Sequence, residues 1–262
     1  MNIYMRELKS GIKSFLIWTI SIGAMVAICI FMYPEMEGMM GDVNDIFSSM
    51  GAFSAAFGMD RLGMGTLLGF YSVECGTMLT LGAALYAAMA GTAIVGKEEK
   101  GRTAEFLFAM PVSRRRVLSE KLGALMTEMV LFHIVNFFFS VVSIVAIGEE
   151  IPVKDLLLLH SSYLFMTIAV ASLCFLLSVF NATANTGSGM GLALALYFIN
   201  LMANISDKAK ALSWVTPFSF TEGADIVLEG KLDGVRIILW MGLSIVAIAS
   251  GFAYYSRKDL KS

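Results

Sequence analysis

Glu74, Glu128, His133 and Asn136 are residues able to do chemistry inside apolar surroundings, because each interrupts a long hydrophobic run. An ionisable or amide side chain in such a run is costly, and it marks either an ion path or a bond between helices. His133 and Asn136, three residues apart, share a helix face beyond Glu128. Glu74 falls at the outer end of its run, near headgroup depth. These residue types suit proton or ion coupling, lining of a translocation path, or hydrogen bonding within a helical bundle. They do not form a catalytic centre, since neither His133 nor His160 sits in a supporting motif. Cys29, Cys75 and Cys174 lie in or beside apolar stretches, with no CxxC pair or Cys/His cluster. They read as small packing residues, and no metal site is expected. No G-x-x-x-x-G-K-[ST] loop occurs; GKEEKGR lacks both the preceding glycine loop and the following hydroxyl, so the chain does not hold ATP in that manner.

The elements that must position these residues are membrane helices. Of 262 residues, 57% are hydrophobic and only 15% charged, against about 25% charged in soluble domains. A span needs about 20 mainly apolar residues, and six stretches qualify: 15–33, 69–95, 117–147, 156–180, 187–203 and 234–255. The fold expected is therefore all-α, a single six-span membrane domain covering 1–262. The second and third stretches exceed a bilayer's needs, so they tilt or project into the cytoplasm. The first is no cleaved signal peptide, since its apolar run is too long and no small-residue cleavage site follows.

Basic and acidic flanks alternate along the chain. Arg6, Lys9 and Lys13 precede the first stretch, whereas Glu35, Glu37, Asp42, Asp45 and Asp60 follow it with only Arg61 to offset them. Residues 97–121 are basic again, 148–155 acidic, 204–233 mildly acidic, and the tail basic. By the positive-inside rule both termini and residues 97–121 face the cytoplasm of a cell-membrane protein.

Tyr4, Leu8, Ile12 and Phe15 fall on one helical face opposite Arg6, Lys9 and Lys13, which suits an amphipathic surface helix over 1–14. The alternative is a cytoplasmic extension of the first span. Residues 34–65 read as an external loop with one or two short helices. Residues 204–233 read as a re-entrant or surface-lying segment, broken at Pro217, with Trp214, Phe218 and Phe220 as interfacial aromatics. Gly187, Gly191 and Ala195 make a small-xxx-small strip, for packing within the chain or for pairing with a second one. Gly82, Ala83, Ala87, Ala90 and Gly91 supply the second span's small residues.

Residues 97–116, KEEKGRTAEFLFAMPVSRRR, are more than a connector. Thr103 is a plausible N-cap with Glu105 close behind, favourable at a helix N-terminus. Phe106, Leu107 and Met110 give that short helix an apolar side, and Pro111 ends it. Ser113 then caps the third span. Arg114, Arg115 and Arg116 in its first turn oppose the helix dipole, an unfavourable placement that anionic lipid headgroups offset at about 1 kcal/mol per basic residue. A short crosswise helix with an apolar side also fits a groove in a cytoplasmic partner.

The run Glu98, Glu99, Lys100, Thr103, Glu105, Phe106, Leu107, Pro111, Val112, Ser113, Arg114 and Lys121 resembles the signature of type-2 ATP-binding-cassette (ABC) transporter permeases. Arg102 departs from it, standing where the family often has a small residue. The resemblance implies a cytoplasmic coupling helix within residues 97–113. Glu98, Glu99, Thr103, Glu105, Phe106, Leu107, Met110, Pro111 and Arg114 would meet a separate ATPase there. It further implies two ATPase copies that bind the ATP, a second permease subunit (identical or paralogous), surrounding lipid and no nucleic acid. The chain itself would need no cofactor and would be no enzyme, providing the path for ATP-driven export. Two other classes compete. An ion-coupled transporter or channel would use Glu74, Glu128 or His133 without an ATPase. A membrane hydrolase would use Glu98 and Glu99, but the paired-glutamate CAAX-type proteases place an arginine four residues on, and Arg102 comes three after Glu99.

Overall fold

A computed structural model describes residues 3–37, 50–59, 61–100, 113–180 and 185–257, without the side chains of 97–100, 207 and 257. Among the described residues, six helices are long and apolar enough to cross a membrane: Ile3–Glu37, Leu67–Gly96, Arg114–Ala146, Val153–Phe180, Thr186–Ile205 and Gly234–Ser256. They are called spans one to six below. No strand occurs among the described residues. The bundle has a proximal end, where residue 3 and the boundaries of residues 97–113 lie, and a distal end at the other side.

Local chemistry sets the boundaries. Ser113 caps span three as its side chain accepts from the Arg116 amide at 3.4 Å. Asn185 does the same for span five through the Gly187 amide at 3.1 Å. Thr66 caps the start of span two through the Gly69 amide at 3.1 Å. Span two opens with one α-turn, passes through a π-helical turn at Tyr71–Cys75, and continues as Gly76–Lys100. Such π-turns occur often at functional positions.

Span four is the central helix and packs on spans two, three and six. Without water in the bilayer core, close helix approach rests on small residues and van der Waals fit. Ala83, Ala84, Ala87 and Ala88 of span two are fully buried. A Cβ on Gly91 would lie 2.9 Å from the Cys174 Cβ and 3.1 Å from the Ala171 carbonyl oxygen. All three cysteines are buried as free thiols.

Several expectations are corrected. Residues 3–37 form one uninterrupted helix, so the separate surface helix over 1–14 is instead the proximal extension of span one. At 1.5 Å per residue it is about 50 Å long, against a hydrocarbon core of about 30 Å. Its inward face is Ile3, Glu7, Gly11 and Phe15, whereas Ile12 of the anticipated apolar face is exposed. The physical reason is that Glu7 finds a buried cationic partner and Gly11 admits a carboxyl. On span five, Gly187, Gly191 and Ala195 are exposed, and the glycine that touches span two is Gly189. Phe218 and Phe220 are buried; only Trp214 of the anticipated interfacial aromatics is exposed. The segment between spans five and six consists of 3-10 turns at Asp207–Val215 and Pro217–Phe220 and the helix Gly223–Glu229. Pro217 does begin a new turn. Before span two, the helix Ala52–Phe57 occupies the loop.

Candidate functional site

At the proximal end, three helix boundaries are joined by one buried cation. Lys121 Nζ of span three donates to Glu7 Oε1 of span one at 3.2 Å and to the Ile94 carbonyl of span two at 2.7 Å. The side chains of Lys121 and Glu7 are 2% and 1% exposed. Arg6 Nη2 lies 3.6 Å from the same Glu7 oxygen. One turn away, Glu120 Oε2 accepts the Tyr4 amide at 3.1 Å, an anionic cap on the N-terminus of span one. Glu120 is itself held by Arg116 at 2.9 Å, and the Tyr4 hydroxyl meets Thr127 at 3.0 Å. Span one is thereby fastened to the helices on either side of residues 97–113.

Of the residues assigned to coupling, Thr103, Glu105, Phe106, Leu107, Met110 and Pro111 lie outside the described residues. Glu98 and Glu99 belong to the helix Gly76–Lys100 without described side chains. Arg114 opens span three and is half-buried.

Deeper in the bundle, polar side chains join helices. Tyr86 of span two donates to Glu128 Oε2 at 2.7 Å and stacks on Phe132 at 5.6 Å. Gly11 lets the Glu128 carboxyl press against span one, since a Cβ there would collide with it. His133 Nε2 sits 2.9 Å from the Thr167 hydroxyl of span four, and Asn136 Nδ2 donates to the Phe132 carbonyl at 2.9 Å. Ser140 donates to the Asn136 carbonyl at 3.0 Å, the Tyr71 hydroxyl is 2.8 Å from Ser140, and His160 Nε2 is 2.8 Å from Tyr71. With Ser140 donating to a carbonyl, Tyr71 donates to Ser140 and His160 donates to Tyr71. His160, expected near the interface, is 5% exposed. Spans two, three and four thus share one buried chain of hydrogen bonds. Glu128, His133 and Asn136 serve as ties between and within helices in this arrangement.

At the distal end Glu222 is the centre of a second cluster. Asn200 and Asn204 of span five both donate to Glu222 Oε1, and Asn204 also donates to the Ala56 carbonyl at 3.2 Å. A polar cavity of about 260 Å³ adjoins it, lined by Arg61, Lys210, Asp225 and Arg236 among others. Arg61 pairs with Asp225 at 2.6 Å, and Arg236 lies 5.3 Å over the Trp214 ring. Burial, reinforced by Asp225, raises the Glu222 carboxyl above its ordinary value of 4.5, against the lowering effect of Asn204, Asn200 and Arg61. The folded chain therefore binds this proton more tightly than the unfolded chain does. Stability contributed by Glu222 is present in full below 4.5 and is lost as pH rises through the raised value. Glu222→Gln is expected to remove that part of the decline, measured as the thermal midpoint across pH in detergent; an unchanged slope would refute the assignment.

Glu74 is placed differently from the other candidates. It lies in the π-turn of span two, half-buried, and makes no hydrogen bond or ion pair among the described residues. A groove of about 360 Å³ between spans one and two opens onto it.

Sequence reasoning missed Glu7, Tyr71, Tyr86 and Glu222. Lys121 stood in the quoted signature without a role; its spacing from Arg114, one face of a helix two turns on, was the only signal. Glu7 lay unremarked among basic neighbours.

Six apolar spans carrying buried interhelical ties define a polytopic α-helical membrane protein. The chain belongs to the ABC-2 family transporter proteins, whose family model matches residues 1–260. It is thus a membrane permease subunit of the ABC transporter class. No curated protein matches it.

Proposed function

We propose that this permease works in export, with a separate ATPase docking on residues 97–113 and two ATPase copies closing on ATP. A second permease, identical or paralogous, completes the path. The chain lies in the cytoplasmic membrane with both termini inside. The observation that carries this reading is the Lys121 junction. A push delivered between spans two and three meets helix ends tied to each other and to span one, so force passes into three spans together. The exposed strip of Gly187, Gly191 and Ala195 supports pairing, since it is not covered by the described residues and would let another helix approach closely. Export follows the family resemblance alone, and the charge asymmetry of the loops supports the orientation. The ion-coupled alternative finds Glu128 and His133 engaged in helix contacts.

The test is affinity purification of the tagged chain from its own membranes, followed by mass spectrometry. A protein with a phosphate loop is expected to co-purify. Glu105→Lys and Phe106→Asp should each lose it by about ten-fold or more, as for a removed interface anchor, while membrane insertion survives. Retention of the ATPase by both variants would overturn the docking assignment.

A further inference from the structure

We propose that the groove between spans one and two binds a lipophilic monocation, with Glu74 as its counter-charge. The inference rests on the permease reading and names the substrate class of its intramembrane surface. Four methionines, Met25, Met32, Met36 and Met78, line the groove with Ile28, Cys29 and Phe70 around one carboxylate. Met25 and Met32 are 46% and 53% exposed, so the groove is open on its outer side. On the other flank of the same carboxylate a smaller hollow of about 170 Å³ is lined by Phe53, Phe57 and Met59, and shares Glu74 and Met78.

Each part of this surface fits such a ligand. Thioethers are polarizable and unbranched, so several methionines adapt to an irregular apolar body. Phe70 backs the groove from the core, its ring 5.5 Å from that of Tyr33. Glu74 stands within a membrane span without a hydrogen-bond or ion-pair partner among the described residues, where an isolated carboxylate is costly unless something charged or donating meets it. A neutral apolar guest would leave that group unmatched, and an anionic guest would be repelled.

The test uses the full chain in phosphatidylcholine nanodiscs, with empty discs subtracted, and two probes of one shape and opposite charge. Tetraphenylphosphonium is expected to bind the native protein, and tetraphenylborate is not. Glu74→Gln should weaken phosphonium binding about ten-fold, the scale of one partly desolvated charge pair. Glu74→Asp should retain it, which separates lost charge from lost folding. Equal binding of the two probes to the native chain, or undiminished binding to Glu74→Gln, overturns the proposal. So does native mass spectrometry showing an aminophospholipid held by the native chain and released by Glu74→Gln. Co-purification of the ATPase with Glu74→Gln keeps the readings apart. Failed probe binding with the ATPase retained defeats this inference alone, whereas no ATPase with any form of the chain defeats the permease reading.

Discussion

Lys121→Met is expected to destabilise the chain by about 3–5 kcal/mol, the range for removing one partner of a buried ion pair. Lys121 Nζ meets both Glu7 and the Ile94 carbonyl, and neither carboxylate nor ammonium reaches solvent appreciably. Without the ammonium, Glu7 keeps a charge in a dry contact, with Arg6 at 3.6 Å as partial relief. The measurement is the unfolding midpoint in detergent, followed by intrinsic fluorescence. The double change Glu7→Leu with Lys121→Met is expected to recover most of the loss, because well-packed apolar replacements of a buried pair are often neutral. If Lys121→Met unfolds at the native midpoint, the junction is not buried as described. If the double variant is no better than the single, the loss comes from packing and not from stranded charge.

Gly189→Val and Gly191→Val, two residues apart and so on nearly opposite faces of span five, should act in different ways. A Cβ on Gly189 would sit 2.5 Å from Thr92 Cγ2 and 2.9 Å from the Ala88 carbonyl oxygen of span two. A backbone carbonyl cannot turn aside, so span five must move off span two, at about 1–3 kcal/mol for overpacking. A Cβ on Gly191 meets open space. Its effect on the unfolding midpoint is expected within about 0.5 kcal/mol, as at uninvolved surface positions. The same substitution should nevertheless lower permease pairing, read by cross-linking in native membranes, because it fills the exposed small-residue strip. Undiminished pairing would remove span five from the interface.

The six spans were readable because a bilayer imposes a length and an apolar composition that survive any detail of packing. The stretches 69–95, 156–180 and 187–203 agree with helices Leu67–Gly96, Val153–Phe180 and Thr186–Ile205 to within a few residues. Ser113 was readable as a cap, since its hydroxyl acts on an amide three residues away. The inward face of residues 3–15 was not. Hydrophobic periodicity assigns a glutamate to the outside, and Glu7 is inside only because a lysine 114 residues later arrives opposite it. Gly187 and Gly191 looked like contact residues by spacing alone, yet the rotation of span five about its axis is set by where Gly189 and Ala193 find span two and the core. Glu74, Glu128 and His133 were recognisable as polar intrusions. Which of them would be satisfied depended on partners in other spans, Tyr86 for Glu128 and Thr167 for His133.

From the residues alone came the class of molecule, the number of crossings, the family signature at 97–121 and the absence of a phosphate loop. All are properties of composition or of short spacing, and the chain carries them before it folds. Only the tertiary structure decided that Lys121 joins three helices, that Glu222 is gripped by two asparagines, and that Glu74 borders an open groove. Those outcomes depend on groups far apart in the chain meeting in a medium without water, where a polar side chain must find its partner in another helix or wait for a ligand.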